Sequence, residues 1–506
     1  MTLQILLVMK FYLAVVVLVS SLASVEAQLP MWDTITKKLL ESKVRTPELT
    51  AEENARFSSS DNIDALTSSE CSKHTTCGDC ASSMEYFSNC RWCPLLADNK
   101  CHTIGSPQNP CSDDQQITDP GQCPALPSRR KPIVIMPGLI GSSLEVKLTD
   151  KNNKPSPICQ TTADWYTIWL NPVELGPEIY KCSMDNWSLS YDKETERVAN
   201  VEGVDLRYVG NEANDRLDNI VGWDTLVSLL LANGYEVGND LFANPFDWRM
   251  GVKQFLNDEK GAMGPKETGG EFKRLKETIE EAFEKNDERI VLASVSYGGP
   301  YGNAFLTSYA GIDQAWKDKY LDSWISLSGV FNGAPQVVHQ LIQGMPAYGI
   351  DYVDPLILRD SMRSFPSLSF LVPSHIDGYE DTIIAYTAEK NYTLSEVADL
   401  LEAGGAVNAA DMKRKQTIIT TSDPGVKVHC WYTSNMATEF SFIMESPNSS
   451  ETLPIYGLGD QTGDVHSLSR CQDWKGVEVR NFDDVCHSCY LEDETVLNAF
   501  LELVVS

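Results

Sequence analysis

The sequence predicts an α/β protein built on a mainly parallel sheet, preceded by a small disulfide-rich domain. Three observations lead there. The first is Ile290 to Phe305, where the apolar run Ile290–Ala293 passes directly into Ser294-Val295-Ser296-Tyr297-Gly298 and then, from Tyr301, into a helical pattern. The second is strand–helix alternation: Pro132–Met136 and Ser323–Leu327 read as strands, and Glu271–Lys285 reads as a helix. Alternation of this kind requires crossovers, which join parallel strands and are right-handed. The third is the partition of the cysteines. Of 14, eight fall between Cys71 and Cys123, and the others are Cys159, Cys182, Cys430, Cys471, Cys486 and Cys489. Two even sets fit two separately oxidised units.

The bulk numbers narrow the function classes. A chain of 506 residues, 42% hydrophobic and 22% charged, has ample core and room for more than one domain. Its formal net charge of −30 argues against nucleic acid and against purely electrostatic docking on anionic membranes. Residues 1–27 read as a signal peptide, with Lys10, an apolar run from Phe11 to Val19, and small residues at Val25 and Ala27. No later stretch approaches the ~18 apolar residues of a membrane span. The expected route is secretory, ending in a lysosome or vacuole or outside the cell. Sequons at Asn186, Asn391 and Asn448 agree with that route as glycosylation sites.

Residues 28–70 hold one amphipathic segment, Met31–Val44, and then a Ser- and acid-rich stretch, which suits a linker or pro-segment. Residues 71–123 form the cysteine-dense module, spaced Cys71, Cys77, Cys80, Cys90, Cys93, Cys101, Cys111 and Cys123. Two C-x2-C pairs raise zinc, but an oxidising compartment and eight cysteines favour four disulfides. With its Cys90-Arg91-Trp92-Cys93, the module resembles the plexin–semaphorin–integrin cysteine-rich module. That resemblance implies a compact spacer and a possible protein partner, with no chemistry of its own. A Pro-bounded linker at 124–131 precedes the main domain, 132–506.

The chemistry-bearing residues follow from the Ser turn. A strand, a sharp turn around Ser296 and a helix make the context of a nucleophile elbow, with Gly298 letting the helix pass close. Ser294 stands where G-x-S-x-G has its first glycine. In a hydrolase of this architecture an acid and then a histidine follow in chain order. Asp460 lies in the turn-rich Gly457–Val465, after a strand-like Leu453–Tyr456, where the sheet's carboxyl end delivers an acid. His487 follows a strand-like Val477–Arg480 and precedes a helix at Glu494–Val504. His339 and His375 precede the acid, His429 sits within a strand-like run, and His466 is only six residues beyond Asp460. His487 alone fits both order and context. The turn Pro137–Ser142, after the first strand, is where such folds place one oxyanion-hole amide.

From Pro132 onward the chain resembles the lecithin:cholesterol acyltransferase family, and within it the lysosomal phospholipase A branch. The resemblance is carried by Pro132–Gly138, Trp165–Asn171, Pro245–Arg249, Ala315–Tyr320, Asn391–Leu394, and Asp460 placed eleven residues before Cys471. It implies an α/β-hydrolase fold with lid or cap insertions and a catalytic triad of Ser296, Asp460 and His487. It further implies oxyanion amides at Leu139 and Tyr297, and disulfides Cys159–Cys182 and Cys430–Cys471. Residues 159–182 correspond to the family's active-site lid, with Trp165 facing the acyl site. The chain departs from the pattern at Ser294, at Val295, at Asp460-Gln461-Thr462-Gly463, and at Ser328–Gly333, which replaces a Gly-Ala-Pro-x-Gly-Gly turn. These departures bear on pocket shape. Cys486 and Cys489, flanking His487, suit a local disulfide better than a metal site.

Ser-His-Asp chemistry needs no metal or cofactor. The resemblance implies a phospholipase A/O-acyltransferase that passes an acyl group to water or an alcohol at a phospholipid membrane or lipoprotein surface. The competing readings are a neutral-lipid or sterol-ester hydrolase of the same fold and an inactive lipid-binding or adhesion protein.

Overall fold

The computed structural model describes residues 130–505 except 170, 172, 210–216, 258–269, 345–353, 374–381 and 450–451, with scattered positions between Cys71 and Ile117. The signal-peptide and 28–70 expectations lie outside the described residues, as does Cys123. Chain contacts divide the described residues into two units, one within 131–222 and 237–496, the other within 71–130, 223–236 and 497–505.

The larger unit is organised by a six-stranded sheet. Its strands are β1 (Ile133–Met136), β5 (Leu241–Ala243), β6 (Ile290–Val295), β7 (Leu321–Leu327), β8 (Val428–Thr433) and β11 (Glu478–Phe482). They run in the order β5-β1-β6-β7-β8-β11, and every pairing is parallel. Strands covered on both faces must be apolar throughout. Ile133–Met136 and Ile290–Ala293 are accordingly buried at every residue. Helix α1 (Glu271–Asn286) buries Phe272, Leu275, Ile279 and Ala282 on one stripe. Its outer face carries i,i+4 pairs such as Lys276–Glu280 and Glu281–Lys285. It stops where Asp287 turns left-handed at φ 50° and donates its amide to Phe283.

Two of the further sheets bear on the site. An antiparallel one sets β2 (Leu144–Leu148) between β3 (Ala163–Trp169) and β4 (Val204–Tyr208). The other has four strands, ending in the antiparallel pair β9 (Met436–Met444) and β10 (Thr452–Gly459). Here the structure differs from expectation. The strand leading into Asp460 belongs to this separate sheet and not to the carboxyl edge of the central one. Local pattern identified a strand; partner choice is tertiary and was not written in it.

In the smaller unit, three disulfides link Cys71–Cys90, Cys80–Cys101 and Cys93–Cys111, and Cys77 is also disulfide-bonded. These sulfurs are therefore not thiolates for zinc. Trp92, on a short strand at Ser88–Trp92, pairs through its backbone with Ile117. Residues 223–236 and 497–505 group with this unit. Arg130 bridges to Val505, and the Tyr235 hydroxyl donates to the Val504 carbonyl at 3.0 Å.

Candidate active site

The elbow forms where the sequence places it. At the end of β6, Ser296 adopts φ +55°, a left-handed conformation that an L-residue holds only when the surroundings enforce it. Its amide donates to Leu327 of β7 at 3.0 Å, and its carbonyl accepts from Gly299 at 2.9 Å. Helix α2 (Gly298–Ser308) begins three residues earlier than the sequence pattern suggested. Two glycines followed by a proline discourage a helix in isolation, but here they occupy its first turn, where the proline's missing N–H costs nothing. A Cβ on Gly298 would lie 2.6 Å from the Met136 carbonyl oxygen and 2.7 Å from that of Pro137. Gly298→Ala is therefore expected to cost about 1–3 kcal/mol of stability and to displace the Pro137 turn, lowering activity with it. A melting curve and an ester assay on the purified variant check both. Ser294, in place of glycine, is fully buried, and its Oγ accepts the Trp324 indole N–H at 2.9 Å. A glycine there would leave that buried donor unpaired.

Ser296, Asp460 and His487 come together although 191 residues separate the first from the last. Ser296 Oγ lies 2.9 Å from His487 Nε2, and His487 Nδ1 lies 2.7 Å from Asp460 Oδ2. Asp460 is fully buried, His487 is 5% exposed and Ser296 is half-buried, so only the serine end of the relay faces outward. The His487 amide donates to the Asp460 carbonyl at 2.8 Å, tying the two loops together by backbone. Asp460 Oδ1 accepts the amides of Thr462 at 3.1 Å and Gly463 at 2.8 Å. With Nδ1–H directed at the carboxylate, Nε2 is left as an acceptor for the Ser296 hydroxyl. Close by, burial and the Asp460 charge push the Tyr490 phenol well above its ordinary pKa, so it stays a neutral donor to Thr433 Oγ1 at 2.8 Å. Such a chain can draw the Ser296 proton onto His487 while Asp460 stabilises the resulting imidazolium.

Two backbone segments flank Ser296. The Pro137–Gly141 turn passes close enough that a Cβ on Gly138 would lie 3.2 Å from the Ser296 Cβ. Tyr297 follows the serine at the N-terminus of α2. Neither the Leu139 amide nor the Tyr297 amide has a backbone acceptor among the described residues. The Tyr297 ring is buried beneath, its hydroxyl donating to the Met250 carbonyl at 2.8 Å. The turn is braced by aromatics: Trp169 Nε1 donates to the Ile140 carbonyl at 2.8 Å, and Trp248 Nε1 to that of Ser142 at 3.0 Å. Trp169, Trp187 and Trp248 meet edge to face, with centroids 5.3–6.0 Å apart.

Three expectations are modified. Cys159–Cys182 is a disulfide, but the segment it closes carries strand β3. Trp165 on that strand is half-buried under the Arg207 guanidinium, 4.2 Å from the ring centroid. Trp169, on the same strand, reaches the turn beside Ser296 through its indole N–H. Residues four apart share a face on a regular pleat, but β3 shifts register where Leu144 pairs with Trp169 and Glu145 with Thr167, and spacing in the sequence does not show that shift. Asn186 is 4% exposed, and its Oδ1 accepts from Lys151 Nζ at 2.6 Å, leaving no room for a glycan. A sequon is a local signal, and burial is not. Asn391 and Asn448 are exposed. Cys430–Cys471 and Cys486–Cys489 are disulfides, the latter bracketing His487.

One residue at the site escaped the sequence reading. Ser328, at the end of β7, donates its hydroxyl to Asp460 Oδ2 and lies 2.7 Å from His487 Nδ1. A signal for it existed, since Ser294-Val295-Ser296 and Ser326-Leu327-Ser328 end neighbouring parallel strands in matching register.

The family model for lecithin:cholesterol acyltransferase matches residues 165–421. Among similar proteins is a lysosomal phospholipase A and acyltransferase from Homo sapiens, 32% identical over 364 residues, covering 70% of this chain and 84% of that one. A phosphatidylcholine-sterol acyltransferase from Gallus gallus is 29% identical over 360 residues, covering 69% and 82%. An α/β-hydrolase sheet, a serine elbow at its centre and a match of this length converge: the chain belongs to the lecithin:cholesterol acyltransferase family.

Proposed function

We propose that this protein is a phospholipase A and O-acyltransferase working through an acyl-enzyme on Ser296. His487 takes the hydroxyl proton as Ser296 Oγ attacks the ester carbonyl, Asp460 holds the imidazole, and the Leu139 and Tyr297 amides receive the oxyanion. His487 then returns the proton to the leaving lysophospholipid oxygen. Water or an alcohol, deprotonated by the same imidazole, next takes the acyl group and frees the serine. The observation that carries this reading is the unbroken relay of 2.9 and 2.7 Å from a half-exposed serine to a fully buried carboxylate. The glycerophospholipid substrate is supported by the family and by the names of its similar members. A peripheral encounter with a phospholipid membrane or lipoprotein surface suits such a substrate, and no described helix is long and apolar enough to cross a membrane. Delivery to a lysosome or vacuole or to the exterior agrees with the disulfides.

Product analysis on phosphatidylcholine liposomes tests the proposal. Free fatty acid and lysophospholipid are expected without an added acceptor. With a lipophilic alcohol present, an acyl ester should appear at the expense of free fatty acid. Turnover of triacylglycerol or sterol esters with phospholipid untouched would overturn the substrate assignment in favour of a neutral-lipid hydrolase.

A further inference from the structure

We propose that Ser328 is a positioning residue for the triad, a fourth member that fixes the Asp460–His487 pair without touching substrate. This inference rests on the triad reading above. Ser328 is fully buried, so it cannot serve as a nucleophile toward a lipid. Its Oγ closes a triangle with Asp460 Oδ2 and His487 Nδ1, donating to the first and lying 2.7 Å from the second. A hydroxyl has one proton and two lone pairs. With the proton committed to Asp460, an Oγ lone pair faces His487 Nδ1–H, which the carboxylate and the hydroxyl then share.

The consequence is geometric. Oδ1 of Asp460 is held by the Thr462 and Gly463 amides, and these alone leave the carboxylate free to twist about that anchor. Ser328 pins the other oxygen where the imidazole needs it. Removing the hydroxyl leaves Oδ2 one donor short in a water-excluded place and opens a second orientation to the ring. Charge-assisted bonds of this kind are among the stronger ones, and their loss is felt most when His487 becomes charged.

The backbone adds an independent observation. Ser328 sits at φ +53°, nearly the value of Ser296 one strand away, and its amide donates to Trp431 at 2.7 Å. Glycine would occupy this conformation without strain. A side chain held there against backbone preference, with its only polar atom on both triad partners, points to the hydroxyl as its use.

The test separates hydroxyl from backbone. Ser328→Gly relieves the strained φ while deleting the hydroxyl. It is expected to keep or raise the melting temperature, to lower kcat on a soluble short-chain ester about 10- to 100-fold, and to leave KM within about twofold. In an Asp460→Asn background the same change should cost no more than about twofold, since the partner it orients is already lost. A folded Ser328→Gly enzyme with wild-type kcat would overturn the inference. So would a loss that multiplies in full onto Asp460→Asn. Should the glycine variant fail to fold, Ser328→Cys keeps the side-chain shape with a much weaker donor and is read in the same way. Survival of activity in Ser296→Ala would instead overturn the triad reading itself.

Discussion

Ser296→Ala is expected to lower turnover of any ester substrate by about 10⁴-fold or more while leaving the melting temperature close to that of the wild type. Only one oxygen is lost, and the strained turn that presents it is set by backbone bonds to Leu327 and Gly299. Alanine tolerates φ +55° no worse than serine, so the fold has little to lose. Residual activity would come from the oxyanion amides and from binding. Hydrolysis at the wild-type rate by the folded variant would contradict the nucleophile assignment.

Asp460→Asn is expected to have an effect of similar size, about 10⁴-fold on kcat, with the loops still in place. The Asp460 carbonyl, which anchors the His487 amide, survives the change. The side chain does not work as before. An amide at this position presents its NH₂ to at least one partner that now donates: the Thr462 and Gly463 amides at one oxygen, or His487 Nδ1 and Ser328 Oγ at the other. Turning the NH₂ toward the ring favours the wrong tautomer and leaves Nε2 protonated and unable to take the Ser296 proton. Steady-state kinetics beside circular dichroism or calorimetry distinguishes this from unfolding. An Asp460→Asn variant within tenfold of wild type would remove Asp460 from the relay.

What could be read beforehand followed from how local each signal is. The buried strands at 133 and 290 announce themselves because a parallel strand covered on both faces has to be apolar at every position. The order Ser296, Asp460, His487 was legible because the fold imposes it on the chain. The strand before Asp460 was seen, but its sheet was not, since nothing in Leu453–Tyr456 says that its partner is Met436–Met444. Trp165 and Trp169, four apart on one strand, would share a face on a regular pleat; the register shift between their pairings with β2, which no local pattern announces, leaves Trp169 to brace the Ile140 turn. Asn186 fits a glycosylation rule and is enclosed by Lys151. Ser328 was noted only as a departure from a family turn. Its role depends on a carboxylate 132 residues away, and no window of sequence contains both.

The central claim is that Ser296, activated by His487, carries the acyl group. Reacting the intact protein with a fluorophosphonate and mapping the adduct by peptide mass spectrometry tests it most directly. The account predicts one stoichiometric adduct on the peptide containing Ser296, absent in Ser296→Ala and formed at a small fraction of the wild-type rate in His487→Ala. An active protein that takes no label, or takes it on another serine, would contradict it.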